Sequence, residues 1–242
     1  MRRWLLLAAS LLGGTVAGPV AGATVRVLGG DIITLSAPTR DDPRHGRAQR
    51  YSSHDIIDER QLAQLGKVDS EFNLGVMYTV NERYRSACVW FRRAALRGHR
   101  EASYNLAVLM LNGQGVEPDD AKAAEWLLRS AKRGLPEAEF LLGRLHFVGR
   151  GVPRDPAAEA RWYRQAAEAG YSLAQHELAV LYHLGEGVPA DQTEAFAWFT
   201  VADAAGFDSR DALAVVRVAL GAEHVAEAES RAAAYVAAYA RR

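Results

Sequence analysis

The 242-residue chain has a single cysteine, no surplus of either charge sign and no long apolar run after Val25. One cysteine, Cys88, excludes an internal disulfide. Lys+Arg and Asp+Glu number 29 each, so no basic excess is available to neutralise phosphates, which argues against a nucleic-acid partner. No block of like charges marks an interaction tail. No Ser-x-x-K motif, and no Lys-Ser or Lys-Thr pair of a phosphate loop, occurs anywhere. What is present is ordinary globular composition, 49% hydrophobic and 24% charged, with length enough for a sizeable core.

The N-terminus reads as a secretory signal over residues 1–23. Arg2 and Arg3 precede an uncharged stretch from Trp4, and Ala21-Gly22-Ala23 fits a small-x-small cleavage site. Gly13, Gly14, Gly18 and Pro19 weaken the alternative, an uncleaved membrane anchor. The expected location is therefore periplasmic or secreted, with membrane contact only through an uncleaved signal. Residues 24–54, rich in Pro, Arg, Asp and Ser without an apolar period, are expected to be a poorly ordered linker, although "TVRVLGGDIITL" has the character of a short strand.

From about residue 55 the chain repeats. "GQGVEPDD" begins at Gly113, "GRGVPRDP" at Gly149 and "GEGVPADQ" at Gly185, so the intervals 149−113 and 185−149 are both 36. Ala102, Ala138 and Ala174 share that spacing, as do Leu106, Leu142 and Leu178, and Trp126, Trp162 and Trp198. Trp90 and Gly98 keep it upstream, while the unit containing Leu74 has lost four residues at its glycine turn. This gives a truncated leading unit and four repeats near 70–101, 102–137, 138–173 and 174–206, followed by a tail, 207–242. A fixed period of this length marks an array of supersecondary units.

Each unit reads as two antiparallel helices. Ala138, Leu142 and His146 form one stripe of a first helix. Gly149 and Gly151 end it, and Asp155 caps a second helix that has Pro156 in its first turn and stops at Gly170. Asp119 and Asp191 hold the capping position in neighbouring units, and Asp191 with Glu194 has the spacing of a capping box. No buried strand precedes Gly149, so its Gly-x-Gly is an inter-helix turn rather than a nucleotide-binding loop.

The segment "AEFLLGRLHFVGRGVPRDPAAEARWYRQAAEAG", Ala138 to Gly170, and its two counterparts resemble Sel-like repeats, relatives of tetratricopeptide repeats, across about residues 56–206. The resemblance implies an all-α fold, a right-handed α/α solenoid of helix-turn-helix repeats with a C-terminal capping helix. It implies a scaffold for protein complexes, and in exported bacterial members a role in envelope assembly or contact with other proteins and cell-wall material. It also implies a concave face lined by first helices. Carried onto this chain, that face holds Phe72, Tyr104, Phe140 and His176; Val76, Val108, Arg144 and Val180; and Thr79, Leu111, Phe147 and His183. Of these, Phe72, Tyr104, Val108, Leu111, Phe140, Arg144, Phe147, His176, Val180 and His183 are the expected partner-binding residues. An apolar and aromatic groove with one arginine suits an extended peptide.

The chain departs from the pattern at several places. Met110 and His146 replace an aromatic that Tyr78 and Tyr182 keep. Ala107 and Ala179 replace the glycine found at Gly75 and Gly143. Glu159 stands where the other units have Ala87, Ala123 and Ala195, so it is expected to be partly buried and paired with His146, or else to bend outward to Arg161 or Arg144.

No catalytic or metal-binding motif stands out in the sequence. In "HELAVLYH", His176 and His183 are seven residues apart, about 10 Å along a helix, too far to share a small ion. No catalytic residue, metal or cofactor is expected. The chain is read as a non-enzymatic scaffold for a protein or peptide, such as an envelope complex component. The alternatives are a cell-wall-acting hydrolase or β-lactam-binding protein, and a purely structural envelope subunit.

Overall fold

The computed structural model describes residues 24–27, 31–34 and 51–240. The expected signal segment and most of the expected linker lie outside these. Within that linker stretch the structure forms an antiparallel ribbon of β1 (Thr24–Val27) and β2 (Asp31–Thr34), with Val25 opposite Ile33. Eleven helices follow among the described residues: α1 (Ser53–Gln64), α2 (Val68–Val80), α3 (Tyr84–Leu96), α4 (Arg100–Leu111), α5 (Asp120–Ala131), α6 (Pro136–Val148), α7 (Pro156–Glu168), α8 (Ser172–Leu184), α9 (Gln192–Ala204), α10 (Arg210–Leu220) and α11 (Val225–Tyr239). None is long and apolar enough to cross a membrane. The fold is all-α, an α-solenoid of helix-turn-helix repeats.

Local chemistry sets the boundaries. Asp119, Asp155 and Asp191 each accept a hydrogen bond from the backbone amide three residues on, those of Lys122, Ala158 and Glu194. The expected box at Asp191 is only half formed, because the Glu194 carboxylate turns away to Arg231 and Tyr235. A complete capping box sits instead on α1, between Ser52 and Asp55. The second helices end at Gly98, Gly134, Gly170 and Gly206, all at positive φ.

The Gly-x-Gly-Val turns have a structural task. In each, the second glycine lies against the first turn of the preceding repeat's second helix. A Cβ on Gly115 would fall 2.3 Å from the Tyr84 carbonyl carbon, on Gly151 2.2 Å from the Asp120 oxygen, and on Gly187 2.0 Å from the Pro156 oxygen. Only glycine lets two backbones approach this closely while holding φ near +70°.

The described chain divides into two compact units, one running to residue 138 and including 150–152, the other formed by 139–149 and 153 onward. In the first, α2 packs on α1, α3 on α2, α4 on α3 and α5 on α4, around Phe72, Leu74, Phe91, Leu106 and Leu127. In the second, α8 packs on α7, α9 on α8, and both α10 and α11 on α9. Its core includes Tyr163, Leu178, Leu181, Phe199 and Trp198.

Candidate partner-binding surface

Seven of the ten expected partner-binding residues are core residues. Phe72, Tyr104, Val108, Leu111, Phe140, His176 and Val180 are all buried. Phe72 stacks on His99 at 4.4 Å and leans on Phe91 at 5.9 Å. Phe140 stacks on Tyr163 at 5.2 Å. His176 meets Phe199 edge-on at 5.0 Å and bonds through Nδ1 to Ser209 Oγ at 3.0 Å. Burial pushes its imidazole down to about 4, so it is a neutral core histidine. At Phe72, Phe140 and His176 the covering groups are rings from neighbouring elements, which the register of a groove does not reveal.

Arg144, Phe147 and His183 retain partial exposure. His183 is tied to its own turn, with Nδ1 donating to Gln192 Oε1 at 2.7 Å while Gln192 Nε2 donates back to the His183 carbonyl. Glu159 is buried, 1% exposed, as expected of its position, and Arg161 approaches Asp155 at 3.8 Å. His146 Nδ1 donates to the Pro153 carbonyl at 3.1 Å.

An open surface with binding chemistry lies elsewhere, on second helices. A cleft of about 550 Å³ is bordered by Arg92 on α3, Met110 at the end of α4, Val116 and Pro118 in the turn, and Trp126 and Arg129 on α5. The amphipathic pattern of α5 accounts for it. Ala123, Ala124 and Leu127 face the core, which leaves Trp126 half-buried at the rim. The Arg129 guanidinium lies 4.5 Å from the Trp126 ring centroid, and Arg93 takes the same place 4.6 Å from Trp90. Acidic groups share the cleft: Glu117, Glu125, and Asp119, whose carboxylate binds Lys122 Nζ at 2.7 Å. None of these residues was expected from sequence to bind a partner. Trp126 reads there as a repeat marker, and Met110 in place of an aromatic as a tolerated departure; that departure is the signal.

The same position changes character at the end of the array. Trp198 is buried, stacked by Tyr239 at 5.3 Å and tilted against Tyr235 at 5.1 Å, both from α11. The C-terminal helix therefore covers the last second helix. Cys88 is buried, its Sγ 3.4 Å from the Gln114 carbonyl, and burial pushes its thiol up to about 11. It is a packed small residue, and burial favours its neutral thiol over the thiolate. Among the described residues no group of three or more His, Cys, Asp or Glu is arranged to hold a metal ion.

Comparison with known proteins agrees with this architecture. The Sel1 repeat family matches residues 68–99, 100–135, 136–171 and 172–202. A solved Sel1 repeat protein from Oxalobacter formigenes is 30% identical, with TM-score 0.63, over 69% of this chain and 50% of that one. The protective antigen c5321 of uropathogenic Escherichia coli strains, which displays an SLR fold, is 26% identical with TM-score 0.52, over 79% of this chain and 50% of that one. The chain thus spans about half the length of these solved relatives. No curated protein matches it significantly. Sel1 repeats commonly serve as non-enzymatic protein-interaction scaffolds. With four consecutive matched repeats and the helix pairs that they predict, this chain belongs to the Sel1 repeat family.

Proposed function

We propose that this chain is an exported, non-enzymatic repeat scaffold that binds a protein or peptide partner, with an envelope complex component as the expected partner class. The observation that carries the binding reading is the cleft beside Trp126, where an accessible tryptophan, Arg92 and Arg129 converge. Tryptophan and arginine are the side chains that most often dominate protein interfaces. The balance of charges around them favours a protein over a polyanion.

Photo-crosslinking from residue 126 in cells, with residue 144 as a second position, tests it. A partner captured from residue 126 and lost with Arg129→Glu supports the cleft. Capture only from residue 144, weakened by Arg144→Glu or Phe147→Ala and unaffected by Ala157→Ser, moves the surface to the end of α6. Capture from neither, or turnover of nitrocefin or muropeptides by purified protein, overturns the scaffold reading.

Export rests on Arg2, Arg3, the apolar stretch and Ala21-Gly22-Ala23. Mass spectrometry of the mature protein should find Thr24 first. An intact N-terminus in the membrane fraction overturns cleavage.

A further inference from the structure

An arginine–tyrosine contact recurs at the first and fourth repeats and is absent from the second and third; the third has Leu128 and His146 at the two positions, whereas the second keeps the arginine alone. In the first repeat Arg60 Nη2 donates to Tyr78 Oη at 2.5 Å. In the fourth, Arg164 donates to Tyr182 Oη, with its guanidinium carbon 5.5 Å from the ring centroid. In both, the last turns of one second helix send an arginine to a tyrosine on the following first helix. Repeat spacing puts Arg92 and Met110 at these two positions in the second repeat, since 92−60 and 110−78 are both 32 and 164−92 and 182−110 are both 72. There a thioether stands in the place of the phenol, with Met110 buried in the floor of the cleft. Arg92 is exposed and makes no hydrogen bond or ion pair among the described residues, and both residues border the cleft beside Trp126.

A second precedent comes from the far side of the same cleft. Trp198 is the counterpart of Trp126, 72 residues on, and the chain fills the space against it with Tyr235 and Tyr239. So the protein's own occupants of both positions are tyrosines, and the second repeat presents an arginine and a tryptophan with neither tyrosine supplied.

We infer that this cleft receives a tyrosine side chain of a partner protein, its hydroxyl accepting from the Arg92 guanidinium and its ring held between Met110 and Trp126. The inference rests on the scaffold reading above and names the chemistry of its partner. A methionine sulfur and an indole both pack well on an aromatic ring. A phenylalanine would leave Arg92 without an acceptor. Glu117, Glu125 and Asp119 offset Arg92, Lys122 and Arg129, so the cleft carries no net positive charge to hold a carboxylate or a phosphorylated tyrosine, and a neutral phenol suits it.

The test follows the Trp126 indole N–H by NMR in the mature chain, its signal assigned through Trp126→Phe, during titration with N-acetyl-tyrosinamide. N-acetyl-phenylalaninamide and N-acetyl-phosphotyrosinamide serve as comparisons. The tyrosine amide should bind about ten-fold more tightly than the phenylalanine amide, the scale of one hydrogen bond to a charged donor. Met110→Tyr, which copies the first and fourth repeats, should fill the cleft and abolish binding. Arg92→Gln, a change at an exposed site that leaves the fold intact, should remove the preference for the hydroxyl. Equal binding of tyrosine and phenylalanine amides, tighter binding of the phosphorylated one, or undiminished binding to Met110→Tyr overturns the inference. Crosslinking from residue 126 separates the two claims. A partner still captured by Met110→Tyr leaves the scaffold reading and removes the tyrosine. Amide binding without any captured partner leaves the cleft chemistry and removes the scaffold.

Discussion

Gly143 on α6 lies directly beneath the ring of Tyr163 on α7: a Cβ added to the glycine would sit 2.6 Å from two ring carbons. Gly75 stands in the same relation to Phe91, at 2.3 Å. In the second repeat the corresponding pair is Ala107 and Leu127, both fully buried. The helices of a unit thus meet at one crossing where a small residue on one answers a large one on the other.

Gly143→Ala should therefore destabilise the protein by about 2 kcal/mol through overpacking. Combined with Tyr163→Leu, which reproduces the second repeat, it should cost less than the sum of the two single changes. Urea denaturation of the four proteins measures the coupling, and strict additivity would contradict it. The fourth repeat has Ala179 and Phe199 at the two positions, both buried, so an alanine and an aromatic ring can coexist there and the penalty is bounded.

The two glycines of one turn should respond differently to alanine. Both Gly149 and Gly151 have φ of +70°, so each substitution carries the left-handed cost of about 1 kcal/mol. The Gly149 Cβ would meet Arg154 at an ordinary 3.4 Å, whereas that of Gly151 would overlap the Asp120 carbonyl. Gly151→Ala should accordingly lose about 3 kcal/mol or more, by backbone displacement. Equal melting temperatures for the two variants would show that the contact does not constrain the turn.

His176 should make stability depend on pH below neutrality. Burial holds its imidazole at about 4 against an ordinary value of 6.5. As pH falls through 6.5 the unfolded chain takes up a proton that the native state refuses, so stability falls until about pH 4, where the native state protonates too. The full effect is at most about 3 kcal/mol. His99, also depressed by burial, adds in the same direction. Urea midpoints of His176→Phe should change less between pH 7 and pH 5 than those of the unmodified protein, and parallel curves would count against the assignment.

Removing the ring cover from Trp198 should loosen the C-terminal end. Tyr235→Ala with Tyr239→Ala deletes both aromatic contacts and the Tyr235 hydroxyl bond to Glu194. A loss of about 3 kcal/mol is expected, with red-shifted tryptophan emission as Trp198 becomes wet. Unchanged emission would mean that α11 is not the cover.

Sequence by itself determined the repeat period, the helix pairs, the capping role of Asp119, Asp155 and Asp191, and the structural nature of the glycine turns. All of these are local. A glycine at positive φ or an aspartate before a helix acts through the few residues next to it, and a period of 36 multiplies the signal. Tertiary structure decided which repeated positions remain reachable. Phe72, Tyr104 and His176 share the register of a groove, but periodicity does not report whether a neighbour's ring reaches over a side chain. His99 stacks on Phe72, and Phe199 and Phe207 enclose His176. The cleft at Arg92 was decided in the same way. Its signal, methionine for tyrosine at 110, is visible in the sequence, but its meaning depends on an arginine 18 residues away (110−92) that only the folded crossing brings to the same place.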